Sequence, residues 1–309
     1  MSRSRSYDRE AARQRAAEKA AEARDTLARG VEHVAHDPDA LAAHLRFRAH
    51  FRTYSFRNTL LLAEQGRARG IAARYVKGFK AWIEVGRCVR KGEKALGLFA
   101  PVTRKLEGEE ATAAGVADGT RSLVGYRVAS VFDISQTDVI EGREDDALTY
   151  ASPIPTLAGD DFAHLRHDLE AVAAALGYTV EVYAPHVRPA DGFCHVARRR
   201  IGLALAAPNQ QAAVLAHELA HAVAHGNAPA RDLAKADREI QAEGAAYLAC
   251  YALGLDTAAA ALPYLKTFAD AETAEERTDQ ITAHLAEIDR IGWHLVELVE
   301  GVRHTALAA

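Results

Sequence analysis

Two histidines and a glutamate pose the question of chemistry. His217-Glu218-Leu219-Ala220-His221 sets two imidazoles four residues apart. On a helix that spacing is ~40° of rotation and ~6 Å of rise, so both rings can reach one ion. Leu215 and Leu219 then fall on roughly the opposite side from His217 and give the helix an apolar face to bury. Glu218 sits beside the ion rather than on it, where it can take a proton from a water that the metal acidifies. Two neutral nitrogen ligands, one general base and an open coordination position are what hydrolysis at Zn2+ requires. The alternative is that some of the fourteen histidines form such a spacing by chance on an ordinary helix surface.

A third ligand must come from elsewhere. Ala224 and Asn227 stand where a longer motif, with a glycine and a further histidine after the pair, would need those two residues. His225 continues the same row, but a third ligand from one straight helix fits a tetrahedral site poorly. Glu239 and Glu243 in Arg238-Glu-Ile-Gln-Ala-Glu243 lie four apart on the following helix. One can bind the metal while the other holds a ligand histidine. Tyr247, Tyr251, Tyr264 and His195 are possible oxyanion stabilisers and equally plausible packing residues.

These residues need elements to hold them. Asn209 onward, Ile240–Leu255 and Ala271–Val302 carry apolar residues at helical spacing, as does Phe162–Leu176. Thr179–Tyr183 and Arg200–Ala204 are predicted strands, the latter beside the cleft and able to hold an extended peptide by main-chain pairing. Upstream, residues 7–30 form an Ala/Glu/Arg helix with little apolar surface, and a second helical stretch covers Asp39 to about Gln65. Ala95–Val102 and Leu123–Asp133 alternate as strands, separated by a Gly/Ala/acid insertion at 107–120. The expected organisation is α+β. An N-terminal helical and small-sheet domain covers 1–140, with 1–38 as an exposed helical extension. An acidic linker at 141–160 and a mainly helical domain at 161–309 follow.

The 309 residues carry a net charge of −4, and that figure is a cancellation. Leu41–Lys105 holds fifteen Lys/Arg against three Asp/Glu, a net +12, which leaves −16 for the rest. A strongly basic segment points to a polyanion partner or to a solvated basic face. Arg57, Arg74, Lys77, Lys80, Arg87, Arg90, Lys91 and Lys94 interleave with Tyr75, Phe79 and Trp82. Cations can track a single strand while aromatic faces stack its unpaired bases. For Trp82 burial in the core is the competing reading, and Asn58 is either a surface polar group or a structural hydrogen bonder. No apolar run approaches the ~18 residues of a membrane span. The charged start is not a secretory signal. Three separated cysteines fit a reducing cytoplasm.

Leu215–His225, LAHELAHAVAH, and the following REIQAEGAAYL resemble the zincin-like metallopeptidases of the ImmA/IrrE and ArdC type. The upstream stretch is similar to the single-strand-DNA-binding domain of ArdC-type antirestriction proteins. The matching pieces are Ser55–Leu62, Gly78-Phe-Lys-Ala-Trp82, Gly86–Lys94, Pro101 and Val131–Thr137. The resemblance covers roughly residues 40–140 and 190–255; the insertion at 107–120 and the helix at 7–30 are outside it. It implies Zn2+ held by His217, His221 and Glu239, the first acid of a glutamate-type pair, with Glu243 beside a ligand histidine or as the alternate ligand. It implies Glu218 as the catalytic base, single-stranded DNA as a partner, and protection of incoming plasmid or phage DNA against restriction. A binding protein with structural zinc, and a regulatory protease that cleaves a repressor, are the other functions the same residues allow.

Overall fold

In this computed structural model the residues described are 2–113, 115–144, 147–148, 163–184, 191–224, 233–258 and 274–308. The fold is α+β. Residue contacts divide the chain into two units, Met1–Gly30 with Arg57–Tyr150 and Val31–Phe56 with Ala151–Ala309. Residues 31–56, within the stretch expected as the N-terminal domain, pack with the second unit in this division.

Three helices begin the chain: α1 (Ser2–His36), α2 (Pro38–Ala49) and α3 (Phe56–Arg69). α1 runs through Gly30 instead of ending there. A Cβ on Gly30 would lie 2.7 Å from Glu64 Cγ and 3.0 Å from Leu60 Cγ, so the missing side chain lets α3 approach closely. The single helix expected from Asp39 to Gln65 is two helices. Asp37 caps α2 by accepting from the amides of Asp39 and Ala40. The chain then turns at 50–55, where the Arg48 guanidinium donates to the Phe51 carbonyl at 2.5 Å.

In the first unit β1 (Val76–Lys77), β3 (Leu96–Lys105) and β4 (Arg121–Asp133) form an antiparallel sheet in the order β1-β4-β3. Between β1 and β3 lie α4 (Phe79–Glu84) and β2 (Arg87–Val89), and β2 pairs with β5 (Thr137–Val139). The 107–120 insertion includes a short helix, α5 (Glu109–Ala113). Strand β3 would be an open edge. Two amide side chains of α3 close it: Asn58 exchanges two hydrogen bonds of 2.9 Å with the Phe99 backbone, and Gln65 pairs with both backbone groups of Gly97. Asn58 is thus the structural hydrogen bonder of the two readings.

The second unit has a small sheet among helices: α6 (Ala163–Ala175), β6 (Thr179–Tyr183), β7 (Gly192–His195), β8 (Arg200–Ala204), α7 (Pro208–Ala224), α8 (Lys235–Ala252) and α9 (Ala274–Ala308). Strand order is β6-β8-β7, with β6 parallel and β7 antiparallel to β8. β8, expected to hold an extended peptide, has neighbours on both sides and cannot take one. Among the described residues, β6 and β7 are the edge strands of this sheet, and β7 also packs against α7. Leu165, Leu169, Ile201, Leu203, Leu215, Leu219 and Leu295 form a core from α6, the sheet, α7 and α9. α8 packs on α7, α9 and α2. Arg48 of α2 pairs with Asp289 of α9 at 2.6 Å, 5.1 Å from the Trp293 ring centre. This buried pair and the apolar Leu41, Ala42 and Leu45 explain why residues 31–56 belong to this unit. No described helix is long and apolar enough to cross a membrane.

Candidate metal centre

His217 and His221 project from the middle of α7, whose other face buries Leu215 and Leu219 completely. The i,i+4 spacing does what helix geometry requires of it: the two Nε2 atoms are 3.1 Å apart. α8 crosses alongside and delivers Glu239, whose Oε2 lies 3.3 Å from His217 Nε2 and 3.4 Å from His221 Nε2. Among the described residues these three form the one cluster of potential metal donors. A tetrahedral ion with ligands at ~2.0–2.2 Å has donor-to-donor edges of about 3.3–3.6 Å. The observed triangle is within a few tenths of an ångström of that size. Its nitrogen and carboxylate donors suit a divalent cation.

Glu243 stands one turn further along α8 and does a different job. Its Oε2 is 2.8 Å from His217 Nδ1, on the opposite edge of the ring from Glu239. With Nδ1–H donating to Glu243, the Nε2 lone pair is left facing Glu239 and His221. The two acids, open alternatives in the sequence, are separated by this geometry.

The electrostatics are those of a site built for positive charge. Burial lowers the basicity of His217, but the carboxylates of Glu239 and Glu243 outweigh it and hold the ring up to about 10. Glu239, bonded to both histidines, is held well below the usual carboxylate range. A cation at the triangle takes the place of the proton these acids attract.

Glu218 is 7 % exposed, and it follows His217 on the helix. Burial pushes its carboxyl up to about 7, against the lowering effect of His217. Strand β7 presses on it. A Cβ on Gly192 would sit 2.8 Å from Glu218 Oε1 and 2.5 Å from Val214 Cγ1, so only glycine lets the strand lie this close. Cys194 lies two residues on. Burial, and then the charge of Glu218, push its thiol up to about 12, which keeps it neutral. The sequence reading missed β7; its signal was the short Gly-Phe-Cys-His run after Asp191.

The oxyanion candidates scatter. Tyr247 is fully buried in α8. His195 is exposed, and its Nδ1 accepts from the Arg198 amide. Tyr264 and His225 lie outside the described residues, as do 145–146 and 149–160 of the expected linker.

The residues expected to meet DNA lie in the first unit and have separate fates. Trp82 is 0 % exposed and donates its indole N–H to the Phe132 carbonyl at 2.9 Å, so it is core and offers no face to a base. Arg87 is spent on Thr137 and the Leu148 carbonyl. Arg90 is spent on Glu93, Asp138 and the Ser135 carbonyl. Arg57, Arg74, Lys80, Lys91 and Lys94 are exposed, and among the described residues none of them forms an ion pair. Lys77 lies 5.4 Å from the Tyr75 ring centre. Phe79 is half exposed, its ring 6.4 Å from Phe132. Arg46, Arg48 and Arg52, counted in the basic segment, belong to the second unit and face Asp256, Asp289, Glu297 and Glu300.

Residues 15–132 match the family model for the N-terminal domain of anti-restriction factor ArdC, and residues 186–285 match that for the IrrE N-terminal-like domain. The two matches fall in order along one chain. The chain is an ArdC-type protein. Its fold is similar to the metal-free crystal structure of the antirestriction ArdC protein from R388 plasmid. That match has 21% identity and a TM-score of 0.50, and covers 80% of this ArdC-type chain and 86% of that one. The Mn(II)-bound structure of that protein gives 21% identity and a TM-score of 0.47, covering 84% and 98%. No curated protein matches the chain. The second family match spans the whole donor triangle, from α7 to Glu239 and Glu243.

Proposed function

We propose that this protein is a DNA-associated zinc metallopeptidase of antirestriction type. The observation that carries the reading is the triangle of His217 Nε2, His221 Nε2 and Glu239 Oε2 with buried Glu218 beside it. His217, His221 and Glu239 hold the ion, and Glu243 fixes the tautomer of His217. Zinc, when bound, supplies the Lewis acidity that polarises a peptide carbonyl. Glu218 accepts the proton of the attacking water and passes it to the leaving amine, a role suited to a carboxyl titrating near neutrality. The free edge of β7 aligns an extended peptide by main-chain pairing. The exposed cations of the first unit, Arg57, Arg74, Lys80, Lys91 and Lys94, with half-buried Lys77, hold the backbone of single-stranded DNA, and Phe79 stacks on it.

The test is to load Glu218→Gln protein with zinc and recover it from cells carrying restricted DNA. The expected result is full zinc content, wild-type DNA binding and a co-purifying protein that the wild type cleaves. Antirestriction by Glu218→Gln at the wild-type level would overturn the catalytic reading.

A further inference from the structure

A cavity of about 400 Å3 lies in the first unit. It is within the ~300–1,000 Å3 of small-ligand sites. Its walls come from three distant stretches: the turn after α3 with Ile71 and Arg74, the turn after β2 with Arg90 and Glu93, and the segment Asp133–Gln136.

Most of its polar groups are already committed. Asp133 Oδ1 accepts from the amides of Arg74 and Tyr75, and Oδ2 from that of Ser135. Gln136 donates to Glu93 at 3.0 Å and to the Lys94 carbonyl. Arg90 donates to Glu93 at 2.9 Å. What remains is a specific set. Arg74 is exposed and has no ion pair among the described residues. Each Glu93 oxygen takes one of these donors and keeps acceptor capacity. Ile71 and Ile134 contribute half-buried apolar surface. The Gln136 bond, and then Arg90, hold the Glu93 carboxyl below its usual range, so the acceptor is ionised.

A cation at the rim, apolar walls and a fixed carboxylate acceptor are what a nucleotide bearing an exocyclic amine needs. A carboxylate accepts from the amine of cytosine, and a flipped base packs between apolar side chains. We propose that this cavity seats one unpaired, amine-bearing nucleobase of a bound single strand, with the adjoining phosphate on Arg74. The proposal rests on the DNA-binding reading above and adds how the strand is held: by insertion of one base in addition to tracking of the backbone.

The experiment uses the full chain and three fluorescent oligomers of equal length: deoxycytidine, deoxythymidine and abasic. The wild type should bind deoxycytidine most tightly, about tenfold above deoxythymidine, as loss of one base's contacts predicts, and the abasic strand, which also loses stacking on Phe79, weakest. Ala72→Phe fills the cavity from its exposed wall and leaves the polar network in place. It should bring deoxycytidine binding down to the deoxythymidine level and leave abasic binding unchanged. Arg74→Ala should weaken all three. Equal wild-type affinity for deoxycytidine and deoxythymidine strands overturns the pocket and leaves DNA binding standing. Binding of none of the three overturns both. If Ala72→Phe lowers the melting temperature of the first unit, the wild-type comparison of the three strands decides alone.

Discussion

The metal centre and the basic surface are assembled on opposite principles. At the metal centre three titratable side chains from two helices converge within 3.4 Å of one another and a fourth, Glu243, lies 2.8 Å from His217, all partly buried. In the first unit the exposed cations of the candidate DNA surface are spread over α3, the segment before β1, α4 and the turn after β2. Chemistry on one bond needs a few atoms in fixed places. Attraction to a polyanion needs only charge on an accessible face. A single lost group should therefore cripple the first and only dilute the second.

The largest effect expected is at the triangle. His221→Ala should lower zinc affinity by more than the ~10–100-fold that removing an outer partner costs, read as metal content after dialysis. Because binding displaces the proton held on His217 at about 10, wild-type affinity should rise with pH, up to about tenfold per unit below that value. An affinity flat in pH would sever the link between the acids and the ion. Next comes Trp82→Ala. It removes a fully buried indole and its hydrogen bond, and should cost the first unit ~3–5 kcal/mol in denaturant unfolding while zinc content stays at the wild-type level.

Smaller effects sharpen the contrast. Glu243→Gln keeps an acceptor for His217 but removes its charge; zinc affinity should fall by ~10-fold, the low end for outer partners. A larger loss than in Glu239→Gln would reverse the two acids' roles. Smallest is Lys91→Ala with Lys94→Ala, which should weaken single-strand binding uniformly across sequences and reduce the slope of log affinity against log salt by ~0.7 per lysine. An unchanged slope would remove that turn from the DNA surface.

The chain's own order carried much of this. The helical period around HELAH already required a helix with two histidines on one side, and α7 supplies it. The strands at 179–183 and 200–204 and the hairpin either side of the insertion were legible from alternation. Short segments with compositions like any loop were not. β7 is four residues long, too short for a period to declare itself, and it is the strand packed on Glu218.

What the sequence alone determined is local: elements of several turns or several alternations, and the spacing of ligands within one helix. Tertiary structure decided everything that depends on which segments meet. It separated Glu239 from Glu243 by the edge of the His217 ring each one faces, a matter of how α8 crosses α7. It took Arg46, Arg48 and Arg52 out of the basic surface by pairing them with distant acids, and buried Trp82 among the strands. Charge counted along a chain adds cations whatever they face. Folding cancels those that find a carboxylate at short range, and leaves on the surface only the ones a polyanion can reach.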